Sequence, residues 1–399
     1  MASLSLCGVA TSQTTGSSAS NLQVQLGDVI AGQSLDVQTS ANGATLTTVA
    51  AGNTATAVGQ GGAVDFESSQ QMSGQTTAQT NPSVNADAGP FFVTATSATG
   101  NSATSGTSGA AATGTSTQTN NGAGTTANTF ANLGGYTDQM TVSSTAVGNT
   151  QGWNVANGSL TATSIQSNTG PTTAETDSAT NSVGTAVYTA TAVGNDVEAS
   201  TTNSPVTLTV SQSQTGATTS GQVFVTQNSS GDYTAAATAT GNNANIVADS
   251  YGASVGNTQD NEGAVNAVAN STVGQWSGTA TNAAYGVANS LLVANAGSYT
   301  GVNNDQTNNG AVTISSSFSS GPGGGAGGDL TVSASGVGNA ATAYACGSCN
   351  GTLAIKNKQV NSGAVRSTAT TNTFGVNSVT GSSSAVGNTA TFQVEGGSD

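Results

Sequence analysis

T-A-V-G-N-T at residues 145–150 and Q-S-N-T-G at 166–170 decide the fold, because each recurs along the whole chain at one period. The Gly-Asn step returns at Gly52-Asn53, Gly100-Asn101, Gly148-Asn149, Gly194-Asn195, Gly241-Asn242, Gly338-Asn339 and Gly387-Asn388, with Ala288-Asn289 as the one variant. Its successive spacings are 48, 48, 46, 47, 47, 50 and 49 residues. The second landmark is a Gln followed four residues later by Gly. It is carried by Gln23, Gln70, Gln118, Gln166, Gln212, Gln259, Gln306 and Gln359. Each Asn precedes the next Gln by 17 residues six times running and by 20 the seventh time. Two landmarks in phase over this length require tandem units rather than biased composition.

Outward from each landmark the residues alternate. Ala50, Ala98, Ala146 and Ala192 stand two before the glycine, and Phe66, Ala162, Leu208, Val255 and Val302 stand four before the glutamine. Alternation with period two marks strands with one inward face. The inward residues are mostly small and apolar, which suits a narrow core. Each repeat therefore reads as two strand–turn–strand units, one turning at Gly-Asn and one at Gln-x-Asn-x-Gly, since Gly and Asn both tolerate positive φ. In-register stacking would place identical amides above one another as ladders. The predicted fold is an all-β parallel solenoid of eight repeats, each supplying two rungs, with a length of about 75–80 Å at ~4.8 Å per rung. An eight-bladed propeller is the alternative, and 17 aromatic residues are few for packing its blades. The expected boundaries are a polar tail or cap at 1–21, the solenoid at 22–394 and a short tail at 395–399.

The chain carries 18 acidic and 3 basic residues and no His, a net charge of −15. Such a balance argues against nucleic acid and anionic membrane as partners. No apolar run is long enough for a membrane-spanning helix. Residues 1–10 are mildly apolar but lack the basic start and length of a secretory signal. All the cations, Lys356, Lys358 and Arg366, lie in the last repeat, which suggests a docking patch at one end. Cys346 and Cys349 form C-G-S-C in the segment with the longer interval. Without His or a second such pair, a local disulfide in a loop insertion is the reading adopted, implying an oxidising compartment. Cys7 stands apart, outside the expected core. G-P-G-G-G-A-G-G at 321–328 reads as a surface loop within one repeat.

No catalytic constellation is visible, and no cofactor or metal site is expected. The acid pairs Asp65/Glu67, Glu175/Asp177, Asp196/Glu198 and Asp260/Glu262 share a strand face but sit at different places in their repeats. They read as solvated surface acids rather than a calcium ladder. Thr-x-Thr pairs such as Thr54/Thr56 and Thr189/Thr191 evoke an ice-binding face, but their phase shifts from repeat to repeat.

The strand–Gly-Asn–x–Ala pattern of 145–150 and 385–390 resembles the curlin repeat of bacterial amyloid fibre subunits, as does the Gln and Asn of the other unit. The chain departs from curlins in its length, its two alternating units and its lack of a maintained Gln after Gly-Asn. Its Ala/Thr/Gly-rich character across 22–394 is also similar to the holdfast-anchor adhesins of stalked alphaproteobacteria, the holdfast attachment protein D family. That resemblance implies export to the cell surface beside a curlin-like partner and the tying of an adhesive polysaccharide to the cell. The expected function is an extracellular, non-catalytic adhesin whose partners are a curlin-like protein, other copies of itself or polysaccharide. A self-assembling fibre subunit is the alternative.

Overall fold

Each strand pairs with its counterpart one repeat away. The computed structural model describes residues 17–249, 252–320, 327–346 and 351–394. Gln70 lies in register between Gln23 and Gln118, and Asn101 between Asn53 and Asn149. All pairings are parallel and form two sheets. One has eight strands, from Ser17–Gln25 through Val64–Met72 and Ala111–Asn120 to Thr352–Asn361; the other has 13. Neither closes into a barrel, and the architecture is a parallel β-solenoid.

One coil shows the path. Val64–Met72 runs along the eight-stranded sheet, and a corner at Ser73 and Gly74 leads into Gln75–Val84. The chain reverses through residues 85–88, and the long strand Gly89–Ser108 returns along the facing wall. The next coil then opens at Ala111. The expected two stacked rungs per repeat are thus replaced by one wide coil. The Gln unit and the Asn unit do not stack; they form facing walls, because inward residues from both are needed to fill one core. At ~4.8 Å per coil the eight-stranded sheet stacks to a height of about 35–40 Å, half the expected length. The first strand opens at Ser17, so part of the segment expected as a tail is in the sheet.

Two apolar lobes lie between the walls. Ala78, Val84, Phe92 and Ala98 belong to one, and Phe66, Ala103, Ala112 and Trp153 to the other. Aromatics cluster inside them, with Trp276 edge-on to Phe318 at 5.1 Å and Phe66 to Trp153 at 6.1 Å. Burial of apolar area contributes roughly 25 cal/mol per Å². The many Ala side chains offer little such area, so hydrogen-bond order carries more of the specificity.

That order runs along the axis at the waist between the lobes. From Gln70 to Gln359, each glutamine Nε2 donates to Oε1 of the preceding one at 2.7–2.9 Å. From Asn53 to Asn339, each asparagine Nδ2 donates to Oδ1 of the following one at 2.7–2.8 Å. The second amide hydrogen crosses between the walls. Gln118 donates to the Thr150 carbonyl at 2.7 Å, and Asn101 to the Thr119 carbonyl at 2.9 Å. A carbonyl partner requires the nitrogen on that side, so the cross-wall bonds fix each amide's orientation. The two ladders consequently run in opposite senses, and their dipoles oppose.

A further polar line threads the first lobe. Hydroxyls of Thr48, Thr80, Thr96, Thr129, Ser144 and Thr176 form a zigzag chain at 2.7–3.0 Å. A hydroxyl both donates and accepts, so such a chain leaves its members paired without water.

The Gly-Asn step is not a turn. It lies inside one long strand, where successive inward residues such as Gly100 and Asn101 interrupt the alternation and the wall kinks. A Cβ on Gly100 would lie 2.5 Å from the Gly148 carbonyl oxygen, so glycine answers a close approach between coils rather than a positive φ. Left-handed backbone appears instead at the corner between the long strand and the next coil. Gly61, Gly109, Asn157 and Asn203 occupy that corner with φ of 69°, 82°, 54° and 51°.

Replacing Gln166 with Ala would strip a buried ladder position of three hydrogen bonds, those with Gln118, Gln212 and the Asp196 carbonyl. With each orphaned buried group costing about 1–3 kcal/mol, the expected loss is about 3 kcal/mol or more. Gln23→Ala, at the half-buried end, should cost under about 1 kcal/mol. Chemical denaturation of the two variants measures the difference; equal losses would contradict the ladder's role.

Candidate functional surfaces

The inward ladders order the coil, and the outward side chains face other molecules. One outward column of the eight-stranded sheet reads Leu22, Ser69, Thr117, Ile165, Ser211, Thr258, Asp305 and Lys358. It passes from apolar through mainly hydroxyl to charged. The apolar end is broader than one residue, because Leu22, Val24, Leu26 and Ile30 all lie exposed on the first coil. In the next coil the partners of Leu22 and Ile30 are Ser69 and Thr77, so the change is abrupt. Sequence reading passed over this feature, although three large apolar residues, Leu22, Val24 and Leu26, alternate with Gln23 and Gln25 and signal it.

Sequence-predicted residues divide by location. The Gln23–Gln359 and Asn53–Asn388 series stand at the waist, and most members are buried. Of the three cations, Lys356 and Lys358 lie together on the outer face of Thr352–Asn361 in the eight-stranded sheet. Arg366 is on Val365–Asn372 in the other sheet. The corner at Ser362 and Gly363 lies between them, which puts the arginine on a different sheet from the two lysines. Lys358 donates to Asp305 of the adjacent coil at 2.9 Å, with both side chains about half exposed. Cys346 is half-buried at the end of a strand, while Cys349 and Cys7 fall outside the described residues, as does the proposed disulfide. Residues 321–326 of the glycine-rich stretch lie outside them too.

All four acid pairs face outward. Burial, and secondarily the Asp177 charge, raises the Glu175 pKa; burial and then Glu262 raise that of Asp260. Asp196 is shifted furthest, to about 6, chiefly by burial. Hydrogen bonds from Asn243 at 2.8 Å and Thr150 at 3.4 Å oppose that rise, and the Glu198 charge adds to it. Among the described residues no three His, Cys, Asp or Glu side chains converge in a metal-holding group, and no helix is long and apolar enough to cross a membrane.

The family model for holdfast attachment protein D matches residues 38–311. The chain belongs to the holdfast attachment protein D family. The match spans repeated occurrences of both ladder positions and covers well over half of the chain, and membership assigns a role in holdfast-related adhesion. No curated protein and no solved structure gives a match. The matched stretch ends before Lys356, Lys358 and Arg366, so the basic residues lie beyond it.

Asp196 provides a pH test of the outer face. Its folded pKa of about 6 exceeds the ordinary 3.8, so the folded state binds more protons between those values. Stability should therefore fall as pH rises through that window. Asp196→Asn removes the ionised form and should be the more stable protein at pH 7, by on the order of 1 kcal/mol after solvent screening. The advantage should vanish below pH ~4, where the native carboxyl is neutral in both states. Melting curves of both proteins across that range check the sign.

Proposed function

We propose that the chain is an extracellular, non-catalytic anchor, a stiff solenoid that holds the adhesive holdfast matrix to the cell surface. The observation that carries this reading is the outward gradient from Leu22 to Lys358 along a stack of coils hydrogen-bonded from first to last. Along this column the two ends present different chemistry, apolar at Leu22 and charged at Lys358, as an anchor between two unlike surroundings requires, while elsewhere the last coil also exposes Phe374, Val379, Phe392 and Val394. The middle offers hydroxyl and amide groups in an ordered array. The partners in this reading are a cell-surface protein, curlin-like in the resemblance noted above, and the polysaccharide of the matrix.

A second reading, a self-stacking subunit, is favoured by the ladder directions. Continuing the ladders past the first coil would use an amide hydrogen of Gln23 as donor and Asn53 Oδ1 as acceptor. Past the last coil it would use Gln359 Oε1 as acceptor and an amide hydrogen of Asn388 as donor. Those ends are complementary head to tail, so one copy's last coil could extend another's first.

Deletion of the gene in a holdfast-bearing bacterium should release holdfasts from cells that still make the adhesive, and the wild-type gene should restore retention. Retention unchanged by deletion would contradict the anchor reading. Electron microscopy of the purified protein separates the two forms: uniform short particles fit a single anchor, and growing filaments fit self-stacking.

A further inference from the structure

The charged end of the eight-stranded sheet carries a trough that the family assignment does not explain. Its floor is Gly256, and Gly301 lies beneath the Tyr299 ring, so two adjacent strands lack outward side chains there. Two adjoining hollows of about 480 and 450 Å³ share Gly256, Asn303 and Lys356. Tyr299 stands at one end, about half exposed. Its ring leans along its own strand over Gly301: a Cβ at Gly301 would meet the Tyr299 hydroxyl at 2.7 Å and Cε1 at 3.0 Å. Asn303 and Lys356 are register partners in the middle, and the Lys358–Asp305 ion pair closes the far end. Among the described residues Lys356 has no ion-pair partner.

We infer that this trough binds a short run of pyranose sugars bearing carboxylates. The inference rests on the anchor reading and names the ligand class within it. Three features select the ligand. The half-exposed Tyr299 ring beside a glycine offers an aromatic surface for the apolar C–H side of a pyranose, with its hydroxyl at hand for a hydrogen bond. Asn303 adds a side-chain amide that both donates and accepts, matching sugar hydroxyls. Lys356 supplies a positive charge without an internal partner on a chain otherwise strongly acidic, and a carboxylate on the sugar would pair with it. From Tyr299 to Asp305 the strand spans about 20 Å, the length of a short oligosaccharide. A peptide fits less well. A peptide strand could pair only with the open edge of Thr352–Asn361, beside the trough rather than in it, and the glycine floor has no apolar pocket for an anchoring side chain.

The test is calorimetric titration of the full chain with a uronic-acid tetrasaccharide, a neutral hexose tetrasaccharide and an acidic tetrapeptide. The uronate should bind, at least tenfold more tightly than either of the others. Tyr299→Ala should weaken it at least tenfold and Tyr299→Phe only slightly. Lys356→Gln should bring the uronate down to the affinity of the neutral sugar and remove the salt dependence of binding. Both positions are exposed, and an unchanged circular dichroism spectrum and melting point would verify folding. The proposal is overturned by no uronate binding, by equal binding of the neutral sugar or the peptide, or by correctly folded variants that bind like the wild type. Holdfast retention separates this proposal from the anchor reading. If gene deletion releases holdfasts but Tyr299→Ala and Lys356→Gln cells keep theirs, the trough fails and the anchor stands. If deletion releases nothing, the anchor reading itself fails.

Discussion

The structure depends on paired amide ladders in a core too poor in large side chains to specify itself. An alanine-lined interior tolerates slippage, because one alanine replaces another at little cost. A buried amide does not, since a shift of one residue would leave its donors and acceptor without partners at about 1–3 kcal/mol each. Gln118 illustrates the constraint: it donates to Gln70 and to the Thr150 carbonyl and accepts from Gln166. The glutamine ladder fixes the height of one wall, the asparagine ladder that of the other, and the cross-wall bonds lock the two together. With that register set, strand pairing, kink and corners recur in every coil.

Much of this was legible in the sequence because ladders demand identical residues at identical intervals. The Gln and Gly-Asn series, the inward alternation and the parallel stacking all follow from that demand. What the period could not convey was how many times the chain crosses the section in one repeat. Two strand–turn–strand units stacked as rungs and two units facing as walls have the same periodicity. The difference lies in long-range contacts such as Gln70 to the Ser102 carbonyl, which span 32 residues within a coil. The Gly-Asn step misled for a related reason. Glycine is needed there because the next coil's carbonyl is close, and the sequence of one repeat shows only that a small residue is required.

Surface features were less legible, because outward residues have no ladder to maintain. Lys356, Lys358 and Arg366 are near in sequence, but the corner at Ser362 and Gly363 puts the arginine on another sheet. The trough at Tyr299 depends on Gly256 and Gly301, 45 residues apart, and only the coil register brings them together. The repeats set a scaffold of fixed spacing, and departures from the repeat at its two ends supply the chemistry by which an anchor would meet its surroundings.

The central claim is that one repeat makes one coil. Spin labels at Ser69 and Asp305, outward positions in one column five coils apart, test it directly by pulsed dipolar spectroscopy. One coil per repeat predicts a backbone separation of about 24 Å at ~4.8 Å per coil. A separation near 48 Å, as two rungs per repeat would give, would contradict it.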